Sequence, residues 1–193
     1  MKTVTFDELV TTIRELTVEG RPSIGRPSIV GVDGFGGSGK TTLVVRLVKE
    51  LGDSAIVAMD DFVVKKAIDD SSWEHVWDRN RLARQVLEPL AHGHRSAYEP
   101  LDWESGGFGA PIDLPDARYV FIEGITSLHP TLRHFYDSSV WVNTPIEIAM
   151  NRGQARDAGN ENERGWKQWA QNDLHYLSET RPDQFADAVI ENA

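Results

Sequence analysis

The chain has 193 residues, a formal net charge of −10 and no cysteine. That length supports one domain, residues 1–193, with a sizeable core, and a chain without cysteine has no disulfides and no thiol chemistry, which fits a reducing compartment. The acidic balance is opposite in sign to that of proteins that hold polyanions, so nucleic acid is not an expected partner.

Residues 5 to about 19 read as an amphipathic helix with Phe6, Leu9, Val10, Ile13 and Leu16 on one face. Thr5 and Glu8 have capping-box spacing at its start. The first residues lack the shape of a signal peptide, and no apolar run is long enough to cross a bilayer. The expectation is a cytoplasmic protein with no membrane partner. Gly20 to Ile24 is repeated as Gly25 to Ile29, which reads as a Gly/Pro loop lengthened by local duplication. Such a repeat is too short for a solenoid.

Ser28 to Asp33 reads as a short buried strand. It runs into Gly34-Phe35-Gly36-Gly37-Ser38-Gly39-Lys40-Thr41-Thr42, which fits the phosphate-binding pattern G-x-x-x-x-G-K-[ST]. Beyond it, Leu43, Val44, Leu47, Val48 and Leu51 recur at helical spacing. A strand before and a helix after are the setting in which the pattern has a mechanism. The glycines let the backbone turn its N–H groups onto a phosphate. The helix N-terminus adds positive partial charge at the same place. Lys40 reaches the outer phosphates, and the Thr41 hydroxyl can ligate Mg²⁺.

A second strand is expected over Ser54 to Met59, ending in Asp60-Asp61-Phe62. Asn80 to Ala91 has a helical pattern. Gly93 to Pro115 reads as loop, a connection long enough to be functional or mobile. A third strand reads from Arg118 to Ile122 and ends in Glu123. Pro130 to Tyr136 reads as a short helix and Ser139 to Asn143 as a fourth strand. Pro145 opens a helix that runs to about Asp157. A polar break then precedes a last helix over Trp166 to Thr180, and a fifth strand is expected over Ala186 to Ile190. Strands alternating with helices predict an α/β fold of three layers, with helices covering both faces of a five-stranded parallel sheet. Ligands of such folds lie at the carboxyl ends of the strands, where Asp33, Asp60, Asp61 and Glu123 fall.

These acids suit phosphoryl transfer to a hydroxyl. Asp60 is the expected proton acceptor, with Asp61 orienting the substrate. Glu123 is expected on the metal side with Thr41. Arg152 and Arg156, four apart on one helix face, are expected over the transferring group in a lid of about residues 152–165. Trp73, Trp77, Tyr98, Trp103 and Phe108 bracket the loop-rich middle, where they suit ordinary core or lid packing and, as a second reading, a stacking wall for a ring. Tyr98 and Asp102 are the candidates to grip a polyol, with Trp103 beside them. His92 and His94 find no partner pattern for a metal site.

Taken in order, the Gly34–Thr42 loop, Met59-Asp60-Asp61-Phe62, Phe121-Ile122-Glu123-Gly124 and Arg152 to Asp157 resemble the uridine kinase-like P-loop kinases, a group that includes nicotinamide riboside, pantothenate and phosphoribulokinase relatives. The similarity runs from about Ile29 to Ile190. Tyr98, Asp102-Trp103, Gly165-Trp166 and Trp169 are similar to residues of the small bacterial members. The resemblance implies a P-loop nucleoside triphosphate hydrolase fold, MgATP as phosphate donor and a small hydroxyl compound as acceptor. It implies that Asp60 faces the substrate hydroxyl, that Thr41 and Glu123 lie at the metal, and that Arg152 and Arg156 belong to a lid over ATP. Between Phe62 and Asn80 the chain departs from the family's His-Pro-Asp-containing segment. A regulatory ATPase and a kinase of a vitamin or sugar stay open as alternatives. No Asn-Lys-x-Asp guanine-reading motif is present. The sequence sets no oligomeric state, a homodimer being one option.

Overall fold

The computed structural model describes residues 2–16, 26–68 and 72–192. The first copy of the tandem repeat lies outside them, as do the last residues of the expected first helix.

Thr5 caps α1 (Phe6–Glu15) with the expected reciprocal pair: the Glu8 N–H donates to the Thr5 hydroxyl and the Thr5 N–H to the Glu8 carboxylate. The strands that follow are short and, in the middle of the sheet, buried on both faces. They are β2 (Ser28–Asp33), β3 (Ser54–Ala58), β6 (Tyr119–Glu123), β7 (Ser138–Asn143) and β8 (Ala188–Glu191). With β1 (Lys2–Thr3) they form one parallel sheet in the order β1-β8-β7-β2-β6-β3. The sheet therefore has six strands, and the expected five is corrected. The extra strand is two exposed residues that add to β8 through backbone pairing at Lys2↔Ala188 and Thr3↔Val189. So short a segment carries no hydrophobic period to read.

Alternation along the strands divides the core between two layers. Val30 and Val32 of β2, Phe121 of β6 and Val140 of β7 pack with Leu9 and Ile13 of α1 and with Leu43, Val44 and Leu47 of α2 (Lys40–Leu51). Ile29, Val57, Val120 and Ile122 face the other way and meet Leu82, Val86 and Leu87. Those residues belong to one continuous helical run, α3 (Arg79–Leu82), a π-helical turn over Ala83–Leu87 and α4 (Glu88–Ala91). The expected loop from Gly93 to Pro115 contains a small antiparallel hairpin, β4 (Ala97–Tyr98) against β5 (Ile112–Asp113). After β7 come α5 (Ile146–Arg156), α6 (Trp166–Thr180) and α7 (Pro182–Phe185). No helix among the described residues is long and apolar enough to cross a membrane.

The order β2-β6-β3 decides where the chemistry sits. Glu123, the last residue of β6, is level with Val32 of β2 and Ala58 of β3. The loop after β2 and the turn after β3 thus flank it on either side.

Candidate active site

A cavity of about 600 Å³ opens at the carboxyl ends of these strands. The phosphate-binding pattern forms one wall, with Gly36, Gly37, Gly39, Lys40, Thr41 and Thr42 lining it. Gly37 and Gly39 take the positive φ values of +79° and +95° that glycine adopts without strain. A Cβ on Gly37 would stand 2.2 Å from the Ala149 carbonyl oxygen. The Lys40 ammonium bridges the loop, donating to the carbonyls of Gly34 at 2.9 Å and Phe35 at 2.8 Å. The Ser38 carbonyl accepts from the Thr144 hydroxyl and the Asn192 amide. Gly34 donates its N–H to the fully buried Asp33, which also accepts from the Leu128 N–H and the Tyr176 hydroxyl. These contacts fix the shape of the loop at the cavity wall. Phe35, expected on the ligand side, instead packs edge-on against Trp141 in a buried cluster.

The acids stand as the sheet order dictates. Glu123 is buried, and its carboxylate accepts from the Thr41 hydroxyl at 3.1 Å. Burial raises the Glu123 carboxyl above its ordinary range, and the nearby Lys40 ammonium pulls it back. Asp60 lies on the 3₁₀ turn Met59–Phe62 after β3 and lines the same cavity. A hydroxyl beside a carboxylate, next to a lysine and an open glycine cradle, is a hard-oxygen donor set that fits Mg²⁺ bound together with phosphate oxygens. Among the described residues no cluster of three or more His, Cys, Asp or Glu could hold a metal by itself.

Arg152 and Arg156 both line the cavity from α5. Arg152 donates to the Asn192 carbonyl at 2.9 Å. Arg156 makes a two-pronged pair with Asp157, at 2.9 and 3.1 Å, and lies over the Trp166 ring. That pairing raises the Arg156 guanidinium and holds the Asp157 carboxyl below its usual range.

The acceptor side departs from expectation. Tyr98 and Asp102 do not meet. Tyr98 is buried, stacks on Phe62 and gives its hydroxyl to Asp61 at 2.9 Å. Asp61 lies away from the cavity wall, and burial raises its carboxyl against the lowering effect of the Tyr98 bond. The Asp61 carbonyl accepts from the Leu101 N–H and from Arg81, whose guanidinium is sandwiched between the Phe62 and Phe108 rings. Asp102 is half-buried and spends its carboxylate on the Ser105 hydroxyl and the Glu104 N–H. These two acids and the tyrosine therefore hold the acceptor arm in shape. Trp103 does reach the cavity, with Trp77, Val63, Ile68 and Val76. The Trp77 indole N–H there is buried without a partner. Trp73 packs instead on Tyr176 and His129.

Sequence reasoning missed the contribution of α6. Trp166, Trp169, Asn172 and Asp173 all line the cavity, and Asp173 accepts from the Gly36 N–H at 2.8 Å. The signal was there in helical spacing: Trp166, Trp169, Asp173 and Tyr176 fall on one face.

The parallel sheet with helices on both sides, the glycine cradle after its central strand and the acid at the end of the neighbouring strand define the P-loop kinase class of fold. Comparison with known proteins agrees. The chain is 30% identical to a uridine kinase of Geobacillus sp. (strain WCH70) over 157 residues, 72% of this chain and 70% of that one. It is 29% identical over 157 residues to an inorganic pyrophosphatase, TTM2, of Arabidopsis thaliana, covering 79% of this chain. It is 22% identical over 160 residues to uridine-cytidine kinase C of Dictyostelium discoideum, covering 80% of this chain. The chain spans only 22% of the Arabidopsis protein and 36% of the Dictyostelium one. Among solved structures, a possible uridine kinase from Bacillus stearothermophilus aligns over 95% of this chain and 99% of its own, at a TM-score of 0.66 and 24% identity. A D-glycerate 3-kinase from Cryptococcus neoformans aligns over 89% and 87% at a TM-score of 0.58 and 13% identity. At those identities the two structures speak for the fold alone. No protein-family model matches the chain. The chain belongs to the uridine kinase-like P-loop kinase family.

Proposed function

We propose that the protein transfers the γ-phosphoryl group of MgATP to a hydroxyl of a small molecule, with Asp60 as proton acceptor. The observation that carries this reading is one cavity lined by Lys40, Thr41, Glu123 and Asp60 together. ATP bound with Mg²⁺ would supply the phosphoryl group and neutralise part of its charge. The residues of the chain do the rest. The loop amides and Lys40 hold the polyphosphate. Thr41 and Glu123 hold the metal side. Asp60, on the neighbouring turn, takes the proton from the acceptor hydroxyl and aligns its oxygen. Arg152 and Arg156 stabilise charge on the transferring group from above.

The names of the relatives make uridine the first acceptor to test. The acceptor side itself is apolar, with Val63, Ile68, Val76, Trp77 and Trp103, and Tyr98 and Asp102 are engaged elsewhere. That composition favours an acceptor recognised by a ring or apolar body over one gripped through several hydroxyls.

The test is Asp60→Asn, assayed for ADP release with uridine and with a panel of vitamins and sugars. MgADP affinity is expected to hold while kcat falls by about 10²–10⁴-fold. An Asp60→Asn protein that keeps its turnover is not using Asp60 as base. An ADP rate that no acceptor stimulates favours a regulatory ATPase.

A further inference from the structure

The buried carboxyl of Asp173 has no part in the scheme above, yet it touches the phosphate loop. Its oxygen accepts the Gly36 N–H at 2.8 Å, and the residue is 4% exposed. It sits on α6, the helix that braces the lid against the loop. Trp166 of that helix is wedged between Gly36 and Gly153: a Cβ on Gly153 would meet its ring at 2.1 Å, and one on Gly36 at 3.1 Å. The Trp166 indole N–H donates to Asp157, which holds the lid residue Arg156. Further along, the Tyr176 hydroxyl donates to Asp33, which holds the Gly34 N–H. Three side chains of α6 thus clasp the loop and the lid, and two of them, Trp166 and Asp173, line the cavity itself.

We propose that Asp173 is a positioning residue which fixes the phosphate loop to the lid-bearing helix pair and becomes more fully protonated when a nucleotide's phosphates enter the cavity. The inference rests on the loop being the phosphate site. The groups that face Asp173 are few. From the strand side there is the buried Asp33, whose negative charge adds to its own. From α2 there is Lys40, whose ammonium is already engaged by the Gly34 and Phe35 carbonyls. From α5 come Arg156 and Asp157, which satisfy each other. Across the cavity stand Asp60 and Glu123. On α6 itself, Tyr176 is committed to Asp33. No cation makes an ion pair with Asp173 among the described residues. Burial pushes its carboxyl up to about 7, with the Gly36 N–H and Lys40 opposing. A polyphosphate arriving beside it adds negative charge, which favours the protonated form further. Nucleotide binding then draws a fraction of a proton from solvent onto the Asp173 carboxylate, and affinity falls as pH rises through neutrality.

The experiment is calorimetric titration of MgADP into the full chain at about pH 6 and about pH 8, either side of the Asp173 midpoint. Buffers of different ionisation enthalpy give the protons taken up. The comparison is Asp173→Asn, which keeps an oxygen for the Gly36 N–H and cannot titrate. The variant is expected to match the wild type near pH 6 and to bind up to about tenfold more tightly near pH 8. It should also take up fewer protons there. The nucleotide's own ionisation is common to both proteins and drops out of the difference. Equal pH dependence and equal proton uptake in the two proteins would overturn the proposal. If the variant does not fold, carboxyl ¹³C titration of the wild type decides. One aspartate should titrate near neutrality and move upward with MgADP, and the absence of such a group overturns the proposal. A wild type that does not bind MgADP at all overturns the phosphate-site reading, and this inference with it.

Discussion

The two walls of the cavity are built on different principles. On the phosphate wall, the loop closes on itself locally, with Lys40 reaching carbonyls only five and six residues away, and Thr144, Asp173 and Asn192 buttress it from distant parts of the chain. The acceptor wall is tied together across long stretches of chain, Tyr98 to Asp61 over 37 residues and Lys65 to Trp103 over 38. A local backbone device tolerates almost no change of residue at its glycines. A wall of packed side chains can change its occupants and keep its shape. In the proposed reading, the first would recognise what donor nucleotides share, and the second would set the acceptor.

The largest effect that would sharpen this contrast is expected at Gly37. Gly37→Ala puts a Cβ on a residue at φ +79° and drives it to 2.2 Å from the backbone oxygen of Ala149. Left-handed backbone at a non-glycine residue costs about 1–3 kcal/mol, and the carbonyl in the way cannot rotate aside. At about 1.4 kcal/mol per decade, MgADP affinity should drop by about a hundredfold or more with the far-UV spectrum unchanged. A Gly37→Ala protein that binds MgADP like the wild type would show that the loop is not under this constraint.

How far the sequence could be read follows the same division. The loop, its helix and the acids just after β3 and at the end of β6 were legible because short-range rules define them. Backbone geometry demands the glycines, and the strand-end rule places Asp60 and Glu123 at one edge of the sheet. The order β2-β6-β3 then brought Thr41 and Glu123 to 3.1 Å, although 82 residues separate them. The acceptor arm was not legible. Tyr98 and Asp102 read as substrate contacts because a hydroxyl and a carboxylate together can grip a polyol, and Asp61 because it adjoins Asp60. Their partners depend on which way the hairpin turns each side chain, and no local pattern carries that. β1 escaped because two residues show no period, and Asp173 because its helical face was read only for its tryptophans.

A smaller effect is expected from Tyr98→Phe. The change keeps the ring stacked on Phe62 and removes the hydroxyl that satisfies the half-buried Asp61. Leaving such a carboxylate short of a donor costs about 1–3 kcal/mol. Chemical denaturation should report a loss of that size. MgADP affinity should not change, because the Asp61–Tyr98 pair lies off the phosphate wall. A loss of nucleotide binding equal to the loss of stability would mean that the two walls are one mechanical unit.

The smallest effect on stability, and the one most informative about the acceptor, is expected at Trp103. This side chain is 51% exposed and yet lines the cavity, and its carbonyl receives the Lys65 ammonium. Because its ring buries little against the protein, Trp103→Ala should shift unfolding by no more than about 0.5 kcal/mol. Stacking on a bound ring is worth about 0.5–1.5 kcal/mol, so the KM of a ring-bearing acceptor should rise by a few-fold to about tenfold while the KM for ATP stays put. With an acyclic polyol as acceptor the same substitution should leave KM unchanged. If both acceptors weaken equally, the indole acts by closing the cavity and not by stacking, and the acceptor wall would lose its claim to read a ring.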